Sequence, residues 1–161
     1  MESLSELPEV AIRPMQDGEE REVYQLIRRI CDAELQRDGR LPSESLAYIQ
    51  PDAIRFRQQR GSLVLLALDR HAIIGVIEVE GLSHIALLFV ARSHRGRGIS
   101  RRLWDAARRF CLEASAGPIR FSVNSLASAL PVYRRFGFVP CGPRQVKSGL
   151  ELTPMSMLAP E

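Results

Sequence analysis

Lysine is all but absent from this chain. Lys147 stands alone, so nearly all of the positive charge is arginine, and the formal net charge is only +3. The arginines are spread along the sequence rather than gathered into a stripe, which argues against a nucleic-acid partner. Cysteine is scarce too. Cys31, Cys111 and Cys141 make an odd count with no metal-ligand spacing, so neither a disulfide framework nor a metal site is expected. Cys31 and Cys111 fall in helical patterns and read as buried thiols of a reducing compartment. No apolar run approaches the length of a membrane span. The N-terminal stretch, with Glu2, Glu6 and Glu9 and no apolar core, does not read as a signal peptide. Repeats, linkers and low-complexity tracts are missing as well. What these absences leave is a cytoplasmic protein with no metal, no membrane and no nucleic-acid partner.

The 161 residues, 45% hydrophobic and 25% charged, are ordinary for one soluble globular domain. We read residues 1–161 as a single domain with a loose tail over residues 1–9. Val10 to Arg13 is a short strand stopped by Pro14. Asp17 can cap a helix with Glu20 as its capping partner, and Val23, Leu26, Ile27 and Ile30 give that helix one apolar face through about Leu35. The chain turns through Asp38-Gly39. A second helical region, Ser43 to Arg60, is broken or restarted at Pro51. Leu63 to Leu68, Ala72 to Glu80 and His84 to Val90 read as consecutive strands joined by the turns Asp69-Arg70-His71 and Gly81-Leu82-Ser83. A helix follows in which Leu103, Ala107, Phe110 and Ala114 recur at helical spacing. Gly117-Pro118 breaks into a strand, Ile119 to Asn124. A short helix of about Ser128 to Phe136 stops at Gly137. Phe138 to Val146 and Leu150 to Leu158 close the chain as two strands around a Lys147-Ser148-Gly149 turn.

The chain is organised around the junction between the third of those consecutive strands and the helix after it. The residues there read V-A-R-S-H-R-G-R-G-I-S, from Val90 to Ser100. Glycine lets a backbone approach a ligand closely. The first N–H groups of a helix lack intrahelical partners and carry the positive end of its dipole. Arg95-Gly96-Arg97-Gly98 is therefore a site for phosphate or pyrophosphate. It is not a P-loop, because no Lys-Ser or Lys-Thr opens the helix. Nor is it a dinucleotide fingerprint, since Arg101 stands where the third glycine belongs.

The turn resembles the acetyl-CoA signature of the GNAT superfamily of N-acetyltransferases: Gln or Arg, two free positions, Gly, one free position, then Gly or Ala. Arg95 and Gly98 fill the first and fourth positions, and Ser100 departs from the last. A second block, Val123-Asn124, Ala129 to Pro131, Tyr133 and Phe136-Gly137-Phe138, resembles the family's segment after the fifth strand. The element order βααβββαβαββ is the family's as well. The resemblance covers nearly the whole chain. It implies an α/β (α+β) GNAT fold, a mixed, mostly antiparallel sheet of about seven strands flanked by about four helices.

It also implies acetyl-CoA as co-substrate. Arg95, Gly96, Arg97, Gly98, Ile99, Ser100 and Arg101 would hold its phosphates, with Arg92 and Arg102 reaching toward the outermost one. Leu88, Phe89 and Val90 would offer backbone groups to the pantetheine arm like an added strand, and an N–H there would polarise the thioester carbonyl. Asn124 would contact the arm. Tyr133 matches the family tyrosine that protonates the departing thiolate. The acceptor amine must lose a proton, for which Glu78, Glu80 and His84 are the candidates; the two glutamates share one strand face, and imidazole titrates near neutrality. His71 and His94 receive no role. The acceptor would be walled by Glu34, Asp38, Arg40, Glu44, Tyr48, Phe56 and Arg57, which suits a small-molecule or peptide amine without choosing one. No cysteine lies in the cofactor motifs, which speaks for direct attack in a ternary complex. A non-catalytic acyl-CoA sensor and a phosphate or nucleic-acid binder are the alternatives, and a homodimer is compatible with the resemblance.

Overall fold

A computed structural model describes residues 10–34, 41–147 and 149–160. The expected tail over residues 1–9, the Asp38-Gly39 turn, the wall residues Asp38 and Arg40, and Ser148 lie outside them. In chain order the elements are β1 (Val10–Pro14), α1 (Glu20–Glu34), α2 (Ser43–Tyr48), α3 (Pro51–Gln59), β2 (Leu63–Asp69), β3 (Ala72–Glu80), β4 (His84–Val90), α4 (Ile99–Ala114), β5 (Ile119–Ser125), α5 (Leu130–Phe136), β6 (Val139–Pro140), β7 (Gln145–Lys147) and β8 (Leu150–Ala159). Among the described residues no helix is long and apolar enough to cross a membrane.

The sheet has eight strands in the order β1-β2-β3-β4-β5-β8-β6, with β7 pairing β8 off that path. All its pairings are antiparallel except β4 with β5. One strand and one helix more than expected both come from proline. The strand anticipated over Phe138 to Val146 is split into β6 and β7, which meet β8 at Val139↔Ser156 and Gln145↔Leu152. Pro140 and Pro143 have no N–H to give to a continuous ladder. Pro51 occupies the first turn of α3, where a missing N–H is harmless, and so starts a helix separate from α2.

Two apolar layers sandwich the sheet. On one face α4 and α5 pack over Leu65, Ile77, Ile85, Phe121, Val123 and Met155. At its centre Trp104 meets Phe121 edge-on at 5.0 Å and Phe138 at 5.4 Å, and stacks on Phe136 at 6.0 Å. The opposite face buries Val23, Leu26, Ile27 and Ile30 of α1 and Ile54 of α3 against Val64, Leu66, Val76 and Leu87. The stripe expected on α4 is corrected at its far end. Ile99, Leu103, Trp104, Ala107 and Cys111 are buried, whereas Phe110 is 49% exposed. The buried line drifts round the helix as it crosses the sheet, ends on Cys111 and leaves Phe110 and Ala114 outside.

The helix start expected at Asp17 is also revised. Glu19, the residue before α1, accepts the Gln16 N–H at 2.7 Å and takes both arms of Arg13 at 2.8 Å. A bidentate guanidinium at the end of β1 is a stronger anchor than a local capping contact.

Candidate active site

The strands β4 and β5 stay together for only two residue pairs, His84↔Ser122 and Ile85↔Val123. Beyond them the strands part. On its other side β4 continues to pair with β3 through Leu88↔Ile77, Phe89↔Val76 and Val90↔Gly75. Between Val79↔Ile85 and Glu78↔Leu87 the register shifts, so Ala86 is an extra residue in β4, a bulge that increases local twist. The result is a slot between β4 and β5, along which Leu88 to Val90 pair with β3 but, among the described residues, with no strand on their other side.

The far end of the slot meets the start of α4. A single 3-10 turn, Arg92–His94, leads into Gly96 and Gly98, at φ 77° and 76°. That left-handed backbone favours glycine. A Cβ at either position would meet nothing within 4 Å, so these glycines answer to backbone conformation and leave the space before the turn open. Gly98 precedes α4 without any side-chain cap. Ile99, Ser100 and Arg101 therefore present N–H groups that the helix itself cannot satisfy. Ile99 sends its side chain into the core, at 3% exposure, and contributes only backbone here. An open glycine turn runs into an uncapped helix start, an arrangement suited to phosphate charge.

The arginines divide. Arg95 donates to the Val90 carbonyl at 3.3 Å and pairs with Glu34 at 2.6 Å, which ties the turn to the end of α1. Glu34, expected in the acceptor wall, is thus a partner of the cofactor turn. Arg101 donates to the Arg135 carbonyl at 3.1 Å and lies 5.5 Å over the Phe136 ring. Arg102 is corrected: it reaches away to the Val10 carbonyl, 2.7 Å distant, and fastens α4 to β1. Arg92 and Arg97 are exposed. His94 contacts Asp69 and Ser93, at 2.8 and 2.7 Å, and locks the turn onto the end of β2.

Polar groups gather on the α1–α3 face beside the slot. Glu78 and Glu80 point to that face by strand alternation, because Ile77 and Val79 belong to the other core. Glu78 is wholly buried. Arg57 holds it with two bonds of 2.8 and 2.9 Å, and the Ser62 hydroxyl adds a third at 2.7 Å. A carboxylate so fully engaged and shut off from solvent is an anchor, and the expectation that it takes a proton from an amine is not carried by this geometry. Arg57 also donates to the Tyr48 carbonyl at 2.7 Å, lies 3.7 Å over the Tyr48 ring, and comes within 3.5 Å of Glu80. The Tyr48 hydroxyl donates to Glu80. Burial first, then this bond to Glu80, pushes the Tyr48 phenol above its usual range. Glu80 keeps its side chain 38% exposed and stands across from His84 in the ladder.

His84 is half-buried with Nδ1 2.8 Å from the Ser122 hydroxyl. Desolvation pulls its pKa below the ordinary imidazole value; Glu80 acts the other way and Lys147 reinforces the lowering. Asn124, two residues beyond Ser122 on β5, shares its face. Across the sheet Tyr133 is buried in the aromatic layer, edge-on to Phe136 at 6.1 Å and Phe138 at 5.8 Å. Burial raises its phenolic pKa. A Cβ on Gly149, just before β8, would fall 2.7 Å from Pro42 at the start of α2. Of the remaining wall residues, Glu44 and Phe56 are exposed.

Two contributors escaped sequence reasoning. Ser62 sits between α3 and β2, where nothing local marks it as a partner of Glu78. Ser122 carried a usable signal, since it shares the strand face of Asn124 at a spacing of two.

Residues 30–159 match the Acetyltransferase (GNAT) domain. A streptothricin acetyltransferase of Streptomyces lavendulae is 44% identical over 54 residues, a stretch that takes in 33% of this chain and 29% of that protein. Among solved structures, an acetyltransferase of GNAT family from Staphylococcus aureus Mu50 superposes with TM-score 0.76 at 18% identity over 93% of this chain and 99% of its own. A phosphinothricin acetyltransferase of Sinorhizobium meliloti in complex with AcCoA gives 0.69 at 17% identity over 92% and 88%. A PaiA N-acetyltransferase of Thermoplasma acidophilum in complex with coenzyme A gives 0.67 at 15% identity over 91% and 98%.

Proposed function

Matched over most of its length, the chain belongs to the GNAT acetyltransferases, and on that premise we propose that it moves an acetyl group from acetyl-CoA to the primary amine of a small molecule, by direct attack in a ternary complex. The observation that carries this reading is the slot: β4 and β5 separate after Ile85↔Val123, and the free edge of β4 runs into an uncapped helix start. Bound there, acetyl-CoA supplies an activated acyl group as a thioester.

The chain's own groups have these tasks. The N–H groups of Ile99, Ser100 and Arg101, with the Arg95 and Arg97 side chains, hold phosphate charge at the positive end of α4. Backbone groups of Leu88 to Val90 align the extended arm as a further strand, and one N–H polarises the acyl carbonyl. Asn124 lines the slot where β5 departs. Tyr133 donates its phenolic proton to the departing sulfur. On the opposite face His84 removes the proton of the acceptor ammonium, and desolvation favours the neutral form of its ring. The carboxylate of Glu80 draws the cationic amine in and steadies the charged ring. Glu78 and Arg57 keep Tyr48 and Glu80 in place. A small-molecule acceptor is in keeping with the partial relative, which is named a streptothricin acetyltransferase.

The test is thermal unfolding with and without ligand. Acetyl-CoA at about one hundred times its Kd adds about 2.7 kcal/mol to native stability, a rise of roughly 5–10 °C in Tm for a chain of this size. We expect that rise with acetyl-CoA and CoA, no comparable rise with pyrophosphate alone, and thiol release when amines are supplied. No rise with any CoA species would overturn the reading.

A further inference from the structure

Ser122 lies beside His84 at the rung where β4 and β5 are still joined, just before the slot opens. Its hydroxyl is 2.8 Å from Nδ1 of the ring. Neither residue takes part in the cofactor turn, and Ser122 belongs to no motif of the sequence. We infer that Ser122 is a positioning residue whose oxygen accepts the Nδ1–H of His84 and so fixes the neutral ring with its lone pair on Nε2, ready for the proton of the acceptor. The inference rests on the reading of His84 as base.

A neutral imidazole has one proton for two nitrogens, and the bond made by one nitrogen decides what the other can do. Were Ser122 to donate to Nδ1, the proton would sit on Nε2 and the ring would offer the acceptor a donor, which is no use to an ammonium. With Ser122 accepting, Nε2 carries the lone pair. The step then balances simply. One N–H bond of the ammonium breaks, a new N–H bond forms at Nε2, and the freed electron pair stays on the amine nitrogen that attacks the acyl carbon. The imidazolium that results still has its Nδ1–H on Ser122, so the hydroxyl serves both states of the ring without turning over.

The charged groups facing the ring are Glu80 from β3, which favours the imidazolium, and Lys147 from β7, which opposes it. Among the described residues Ser122 is the direct partner of Nδ1, which makes it the group that biases the tautomer.

The experiment reads the ring itself. The chain has three histidines, His71, His84 and His94, so nitrogen-15 spectra of the imidazoles are assigned by comparison with His84→Gln. In the full-length protein near neutral pH, His84 should carry its proton on Nδ1. Ser122→Ala should shift the ring toward the Nε2–H form, lower kcat by about tenfold or more, move the acid limb of kcat/KM, and leave the KM for acetyl-CoA unchanged. Ser122→Thr should restore tautomer and turnover. An Nε2–H ring in the unsubstituted protein overturns the inference, as does a Ser122→Ala ring and turnover identical to it. Full activity in His84→Gln brings down the base reading and the inference together. An inactive His84→Gln beside an unaffected Ser122→Ala leaves the base reading standing and removes Ser122 alone.

Discussion

The two faces of the sheet are built on different principles. Over β5 the α4–α5 face is an aromatic layer of Trp104, Phe121, Phe136, Phe138 and Tyr133, with Arg101 over Phe136 at the rim. The α1–α3 face begins as aliphatic packing over β2 and β3 and turns ionic toward β4, with Arg57 between Glu78, Glu80 and Tyr48. Apolar packing is non-directional and scales with area. Charge-assisted bonds are directional, and each fixes an atom. The aromatic face therefore sets the shape of the slot and the ionic face sets the positions of groups inside it.

If that division holds, damage to the aromatic face should appear first as lost stability. Trp104, at 1% exposure, is the largest fully buried side chain, and its ring meets three others. Trp104→Ala should cost about 3–5 kcal/mol in denaturant unfolding. Phe110→Ala, on the exposed side of the same helix, should stay within about 0.5 kcal/mol. A costly Phe110 would break the account of α4.

The ionic face should respond differently to single and paired cuts. Glu78→Leu leaves Arg57 buried with one exposed carboxylate 3.5 Å away, and should cost about 3 kcal/mol. In the double variant with Arg57→Met no charge is left stranded, and much of that loss should return. Turnover should not return with it, because Tyr48 and Glu80 lose the guanidinium that holds them. A double variant as active as the unsubstituted protein would show that the network is packing alone. Denaturation curves and acetyl transfer rates on the same three proteins give the answer.

The same contrast explains what was legible in the sequence. Alternation and helical spacing gave β3 and β4 to the residue, because local periodicity and core burial agree there. Gly96, Gly98 and the apolar run before them marked the turn into α4, since left-handed backbone is written in glycine. The acceptor face was only half legible. Glu78 and Glu80 look alike two residues apart, yet one is sealed under Arg57 and the other is open. That difference comes from Arg57 and Ser62, distant in sequence and unmarked by any pattern. Phe110 misled for a related reason: its spacing matches the stripe, but the stripe drifts as α4 crosses the sheet.

The smallest effect tests where the two regions touch. Glu34 at the end of α1 pairs with Arg95 of the cofactor turn, both side chains being at least one third exposed. An exposed pair of this kind adds about 0–1 kcal/mol, so Glu34→Gln should hardly move the unfolding curve. Its effect belongs to binding. Arg95 cannot give the same guanidinium fully to Glu34 and to a phosphate, and removing the carboxylate frees it and removes a negative charge from beside the phosphates. CoA should bind Glu34→Gln a few-fold more tightly at low salt, with the gain fading as ionic strength rises and the Debye length falls. Titration calorimetry at two salt concentrations measures both parts. Weaker binding would mean that Glu34 holds Arg95 in the pose the phosphates need, and the ionic pattern of the acceptor face would then extend into the cofactor end.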